Sequence, residues 1–124
     1  SLDTPPVPAP APLEPLALAR ALQRAAESRQ AEDVQVLDIS KISSFADYFV
    51  LCSGSNERHV QAISDAMAEE AVKLGVRLHH VEGETESRWI LLDFADVVVH
   101  IFLRELRLYY NIDRLWADAP EVRE

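Results

Sequence analysis

Few side chains in this sequence have the type and spacing that covalent chemistry needs. His59, His79, His80 and Cys52 fall in unrelated stretches, with none of the spacings by which imidazoles and thiolates converge on an ion, so neither a metal site nor a cofactor is expected. Gly54-Ser55 opens a helical stretch in the manner of a phosphate cradle. Asp93 and Asp96 flank a turn, however, whereas a two-carboxylate metal clamp needs its acids alternating on one strand. Catalysis is not expected, and Ser55 reads as a helix cap. What remains is recognition. In residues 89–102, two apolar runs surround a tight turn, and side chains alternate across a strand. Ile90, Leu92 and Phe94 share one face with Val97, Val99 and Ile101 if the connecting loop has an even number of residues. Trp89, Leu91 and Asp93 then share the other with Val98, His100 and Phe102. The first face is wholly apolar and must lie under helices. The second mixes aromatic, aliphatic, acidic and imidazole groups, which suits a partner-facing surface centred on Trp89.

The elements that must hold this hairpin are read from periodicity and caps. A helix starts at Pro15 and ends near Gln30, with Leu18, Leu22 and Ala25 on one side. Val34–Ile39 alternates as a strand, and Tyr48–Cys52 is a second. Ser55 or Asn56 caps a long helix on which Val60, Ile63, Met67, Ala71 and Leu74 line one side until Gly75 stops it. Val76–Val81 reads as a third strand and 82–88 as an acidic loop. The hairpin supplies strands four and five, and a last helix runs from near Leu103 toward Trp116. This order predicts one α/β domain over residues 13–118: a single mixed sheet of about five strands, with helices mainly on one face and the other face uncovered. Residues 1–12 hold five of the seven prolines and read as an extended tail; 119–124 read as a C-terminal tail.

The chain has 124 residues, enough for one domain with one core. Twelve Lys and Arg against 21 Asp and Glu give a formal charge of -9, which argues against a broad nucleic-acid contact and suits a basic protein partner. No stretch has the roughly 20 apolar residues of a membrane span. The single cysteine sits in an apolar run and is expected to be a small buried residue in a reducing, cytoplasmic setting.

Four blocks in order resemble the ribosomal silencing factor family, also called Iojap-like. They are 46–50 (Ala-Asp-Tyr-Phe-Val), Ser53 to Val60, Glu82-Gly83 with Trp89 to Asp93, and Asp96 to Phe102 followed by Glu105, Arg107, Tyr110, Leu115 and Trp116. The resemblance spans about residues 17–118. It implies a small α/β domain, often a homodimer, that binds the large ribosomal subunit through ribosomal protein L fourteen, keeps the small subunit from docking and lowers translation under nutrient limitation. The implied fold is nucleotidyltransferase-like without the catalytic carboxylates. Where the family usually has Gly at the hairpin turn this chain has Ala95, which is compatible with a type I turn.

Three functions follow from these residues. One is a non-enzymatic silencing factor whose partner-binding residues are Trp89, Leu91, Asp93, Val98, His100 and Phe102, with Glu82 at an acidic rim. The second is a nucleotide-handling transferase. The third is a homo-oligomerisation module, with Tyr109, Tyr110 and Trp116 as the self-association surface. A competing assignment buries Trp89 and Phe102 under the amino-terminal helix.

Overall fold

The computed structural model describes residues 13–123, so the expected tail at 1–12 lies outside the described residues. Four helices and five strands follow one another: α1 Pro15–Glu27, β1 Glu32–Asp38, β2 Tyr48–Gly54, α2 Glu57–Lys73, β3 His80–Glu82, β4 Trp89–Asp93, β5 Val97–Leu103, α3 Arg104–Tyr109 and α4 Ile112–Leu115. The strands form one mixed sheet in the order β1-β2-β5-β4-β3. Only β2 and β5 are adjacent and parallel; the other neighbours pair antiparallel. The parallel neighbour of β2 is β5 and not the strand that follows α2, because the chain leaving β2 through α2 passes over β5 and β4 to reach the far edge. Among the described residues no helix is long and apolar enough to cross a membrane.

The two long helices follow from their ends and their apolar stripes. Proline occupies the first turn of α1, where a missing N–H costs nothing, and Leu18, Ala19, Leu22 and Ala26 are buried. At α2 the Asn56 side chain accepts the backbone N–H of His59 at 2.8 Å, so Asn56 and not Ser55 is the cap. Val60, Ile63, Met67 and Ala71 face inward, and Gly75 at φ +71° ends the run. A Cβ on Gly54 would come within 2.9 Å of Val60, so a glycine lets the strand end lie against the first turn of α2. Both helices lie on one face of the sheet over Val36, Val50, Cys52, Ile90, Leu92, Val97, Val99 and Ile101. Each such fully buried aliphatic side chain contributes about 1.5–3 kcal/mol over its exposed state. The dry face of the hairpin is as alternation places it.

The opposite face departs from expectation. It is not left uncovered, because the chain after β5 turns back across it. The single helix expected to run to Trp116 is broken after Tyr109, with Asn111 at φ +50°, and the second piece carries Ile112 onto the sheet. Ile112, Trp116 and Ala119 pack with Leu37, Ile39, Phe49, Leu51, Val98 and Phe102 as a second core. Arg107 holds this segment down: its guanidinium donates to the Asp33 carbonyl, the Ser53 hydroxyl, the Gln35 amide oxygen and the Asp113 carboxylate, all at 2.9–3.2 Å. Residues 120–122 do not trail free of the domain. Asp38 donates to the Pro120 carbonyl and Val122 donates to the Val36 carbonyl, so 120–122 run along the outer edge of β1.

Strand three is shorter than expected. Only His80–Glu82 pair with β4, because the register sets His80 opposite Asp93, where β4 ends, and 76–79 run past it. Val76 and Leu78 instead pack against the first core from an irregular approach. The turn between β4 and β5 is not type I. Ala95 has φ +73°, the Asp93 carboxylate accepts its N–H at 2.8 Å, and Asp96 donates to the Phe94 carbonyl. An alanine held at positive φ costs about 1–2 kcal/mol, which explains why glycine suits this position.

Candidate functional site

Strand register lays the second face out as a grid. Across β2, β5 and β4 the rows read Phe49, Val98, Asp93; then Leu51, His100, Leu91; then Ser53, Phe102, Trp89. On the far side, His80 stands beside Asp93 and Glu82 beside Leu91. The carboxy-terminal segment covers β1, β2 and β5, and it stops there. Phe102 is fully buried and Val98 and His100 nearly so, whereas Trp89 is 44% exposed and Leu91 and Asp93 are partly exposed. Of the expected partner residues, then, Trp89, Leu91, Asp93 and Glu82 lie together on an open strip. Phe102, Val98 and His100 are corrections: the chain's own α3, α4 and 39–49 region take up the contacts that a partner was expected to make. The competing assignment is half right, with Phe102 walled in and Trp89 not. The cover comes from the carboxy terminus instead of α1.

Trp89 is placed by three constraints. Gly83, at φ +85°, lies so close that a Cβ there would sit 2.0 Å from the Trp89 carbonyl oxygen, so the loop before β4 closes only with glycine. The loop itself is pinned: Ser87 donates its N–H to the Gly83 carbonyl, and its single hydroxyl proton is shared between the Gln61 amide oxygen at 3.1 Å and the Glu84 carbonyl at 3.0 Å. The indole packs on the Phe102 ring at 4.9 Å between centroids, and its N–H donates to Nδ1 of His100 at 3.2 Å.

His100 is consequently fixed in tautomer. An indole N–H only donates, so Nδ1 must accept and the imidazole proton sits on Nε2. That Nε2–H is buried and meets no hydrogen-bond partner among the described residues. Phe49 meets the ring edge-on at 4.7 Å and Phe102 lies parallel to it at 6.0 Å. Burial pushes its pKa down from 6.5 to about 4, so the ring is neutral at physiological pH.

Charge on the open strip is mostly negative. Glu82 and Glu86 share clefts with the exposed indole, Glu84 belongs to the same loop and Asp93 stands at the far end of β4, with Arg88 as the near cation. His80, absent from the expected set, belongs to this strip and lies 3.1 Å from Glu82. Its alternation with Glu82 was the signal, masked by an overlong reading of strand three. A groove lined by Gly83, Glu86, Arg88, Trp89, Leu106 and Tyr110 leads from the indole to α3.

The expected self-association residues divide. Tyr109 is 81% and Tyr110 63% exposed, their rings edge-to-face at 4.9 Å, and Leu108 and Leu115 are exposed beside them. Trp116 is partly buried against Phe49 at 4.6 Å and belongs to the second core. Arg107 pairs with Asp113 and not with Glu105. Cys52 is buried, as its apolar setting predicts, and desolvation pushes its thiol up to about 12, too high for a nucleophile. His59 is occupied by Ser55 on one ring nitrogen and the Arg29 carbonyl on the other. Among the described residues no three His, Cys, Asp or Glu side chains are grouped to hold a metal ion.

Comparison with known proteins agrees with this fold. Residues 12–124 match the family model described as "Ribosomal silencing factor during starvation". Ribosomal silencing factor RsfS of Bacillus subtilis is 44% identical over 96 residues, 77% of this chain and 81% of that protein. The chloroplastic protein Iojap of Zea mays is 32% identical over 88% of this chain and 47% of its own length. Among solved structures, a protein from Bacillus halodurans superposes with a TM-score of 0.78 at 36% identity, covering 88% of this chain and 99% of its own. One from Chromobacterium violaceum gives 0.81 at 31% identity, covering 84% and 87%.

Proposed function

The chain belongs to the ribosomal silencing factor family, and from that membership we propose that it binds the large ribosomal subunit through ribosomal protein L fourteen and blocks subunit joining by bulk. One observation carries the reading: the sheet face is sealed over β1, β2 and β5 and left open at Trp89, Leu91, Asp93 and Glu82. A half-exposed tryptophan, backed by a buried phenylalanine and flanked by Glu82 and Glu86, has the make-up of an interface hot spot for a basic protein. Binding of this kind requires no covalent step, and a buried contact of about 800 Å² on each partner suffices for it. Repression of translation under nutrient limitation follows from occupancy of the intersubunit surface. The cytoplasm is where such a factor acts.

Trp89→Ala combined with Asp93→Arg is expected to abolish co-sedimentation with purified large subunits while the circular dichroism spectrum stays unchanged. Undiminished co-sedimentation would remove the open strip from the mechanism.

A second reading concerns self-association. Leu108, Tyr109, Tyr110 and Leu115 expose more apolar surface than α3 and α4 need for their own packing, and a homodimer through these short helices accounts for it.

A further inference from the structure

We propose that His100 is a positioning residue for Trp89: its Nδ1 holds the indole in the orientation that the partner meets, and His100 itself touches no partner. The inference rests on the reading of Trp89 as the partner anchor. Position 100 is 7% exposed, lies between Phe49 and Phe102, and has Leu51 and Leu91 as its cross-strand neighbours. Packing alone favours a leucine or phenylalanine there. A histidine leaves Nε2–H buried without a partner among the described residues, a standing cost that an apolar residue avoids. What the imidazole supplies in return is one acceptor, and the Trp89 indole N–H at 3.2 Å is the donor it serves. An anchor whose rotamer is fixed before contact loses less freedom on binding, so the benefit appears in affinity and not in stability.

That separation makes the idea testable with two variants of the full chain. His100→Leu keeps the volume and removes the acceptor. His100→Asn keeps an acceptor, since Oδ1 stands where Nδ1 stood, but leaves a small void and a new buried donor. Affinity for purified large subunits is measured by sedimentation, stability by thermal melting, and the Trp89 indole N–H proton by its NMR shift and solvent exchange. His100→Leu is expected to melt at or above the parent temperature, to bind about three- to tenfold more weakly, and to lose the protected indole signal. His100→Asn is expected to melt lower yet bind closer to the parent and keep that signal. In a Trp89→Phe background, which has no indole N–H, His100→Leu should cause no further loss. Affinity that follows melting temperature across both variants, or an equal loss in the Trp89→Phe background, overturns the proposal. Should His100→Leu bind normally while Trp89→Ala does not, the positioning role alone falls. If Trp89→Ala also binds normally, the anchor reading falls and takes this one with it.

Discussion

Phe102 and Trp89 are register partners on neighbouring strands of the same face, with ring centroids 4.9 Å apart, yet one is fully buried and the other 44% exposed. The boundary between them is where the carboxy-terminal segment stops. On the covered side the aromatic rings fill a core together with Ile112, Trp116 and Ala119. On the open side an aromatic of the same kind stands among carboxylates. Identical alternation thus supports opposite roles, and what decides between them is a segment ten or more residues further along the chain.

The sharpest way to break this comparison is to truncate each ring. Phe102→Ala removes a fully buried side chain and should cost about 3–5 kcal/mol, read as a large drop in denaturation midpoint. Trp89→Ala should cost no more than about 1–2 kcal/mol, because nearly half of its surface is already in water. Equal losses would mean that the two sides are one core.

Acidity sharpens it next. His100 sits at the boundary with its pKa lowered from 6.5 to about 4, so below 6.5 the unfolded chain binds a proton that the folded chain refuses. Stability from this group is complete above pH 6.5 and lost as pH falls toward 4, by about 3 kcal/mol in all. His100→Leu should flatten that part of the stability profile measured by denaturant titration between these limits. A profile identical in parent and variant would contradict the buried neutral imidazole.

The smallest effect is expected at the end of α3. Tyr109→Ser with Tyr110→Ser should change stability by less than about 0.5 kcal/mol, since both rings are exposed, while light scattering shows a dimer becoming a monomer. A mass that does not change would remove these tyrosines from self-association.

What could be read from sequence was set by local rules. The hairpin pairing, the dry face and the stripe of α2 from Val60 to Ala71 follow from period and caps and are found in place, whereas Leu74, expected on the same stripe, is the exposed C-cap. Trp89, Leu91 and Asp93 fall on one surface by alternation alone, whereas Glu82, which reads as part of an acidic loop, joins them as the last residue of β3. What failed to show depends on distant contacts. Nothing near Arg107 marks it as a buried guanidinium whose acceptors lie as far away as Asp33 and Gln35. No apolar run announces that Pro120 to Val122 will join β1. The helix break at Asn111 turns on a single residue at positive φ, and without it Ile112 would not reach the sheet.

The pairing of 120–122 with β1 gives the sheet a finished border on that flank. The Val36 carbonyl and the Asp38 N–H, which would otherwise invite a foreign chain, are already answered from within, so the 36–38 stretch of β1 is a poorer place for an added strand than the edge at β3. The few residues nearest the end of this chain therefore help determine from which direction another protein can approach.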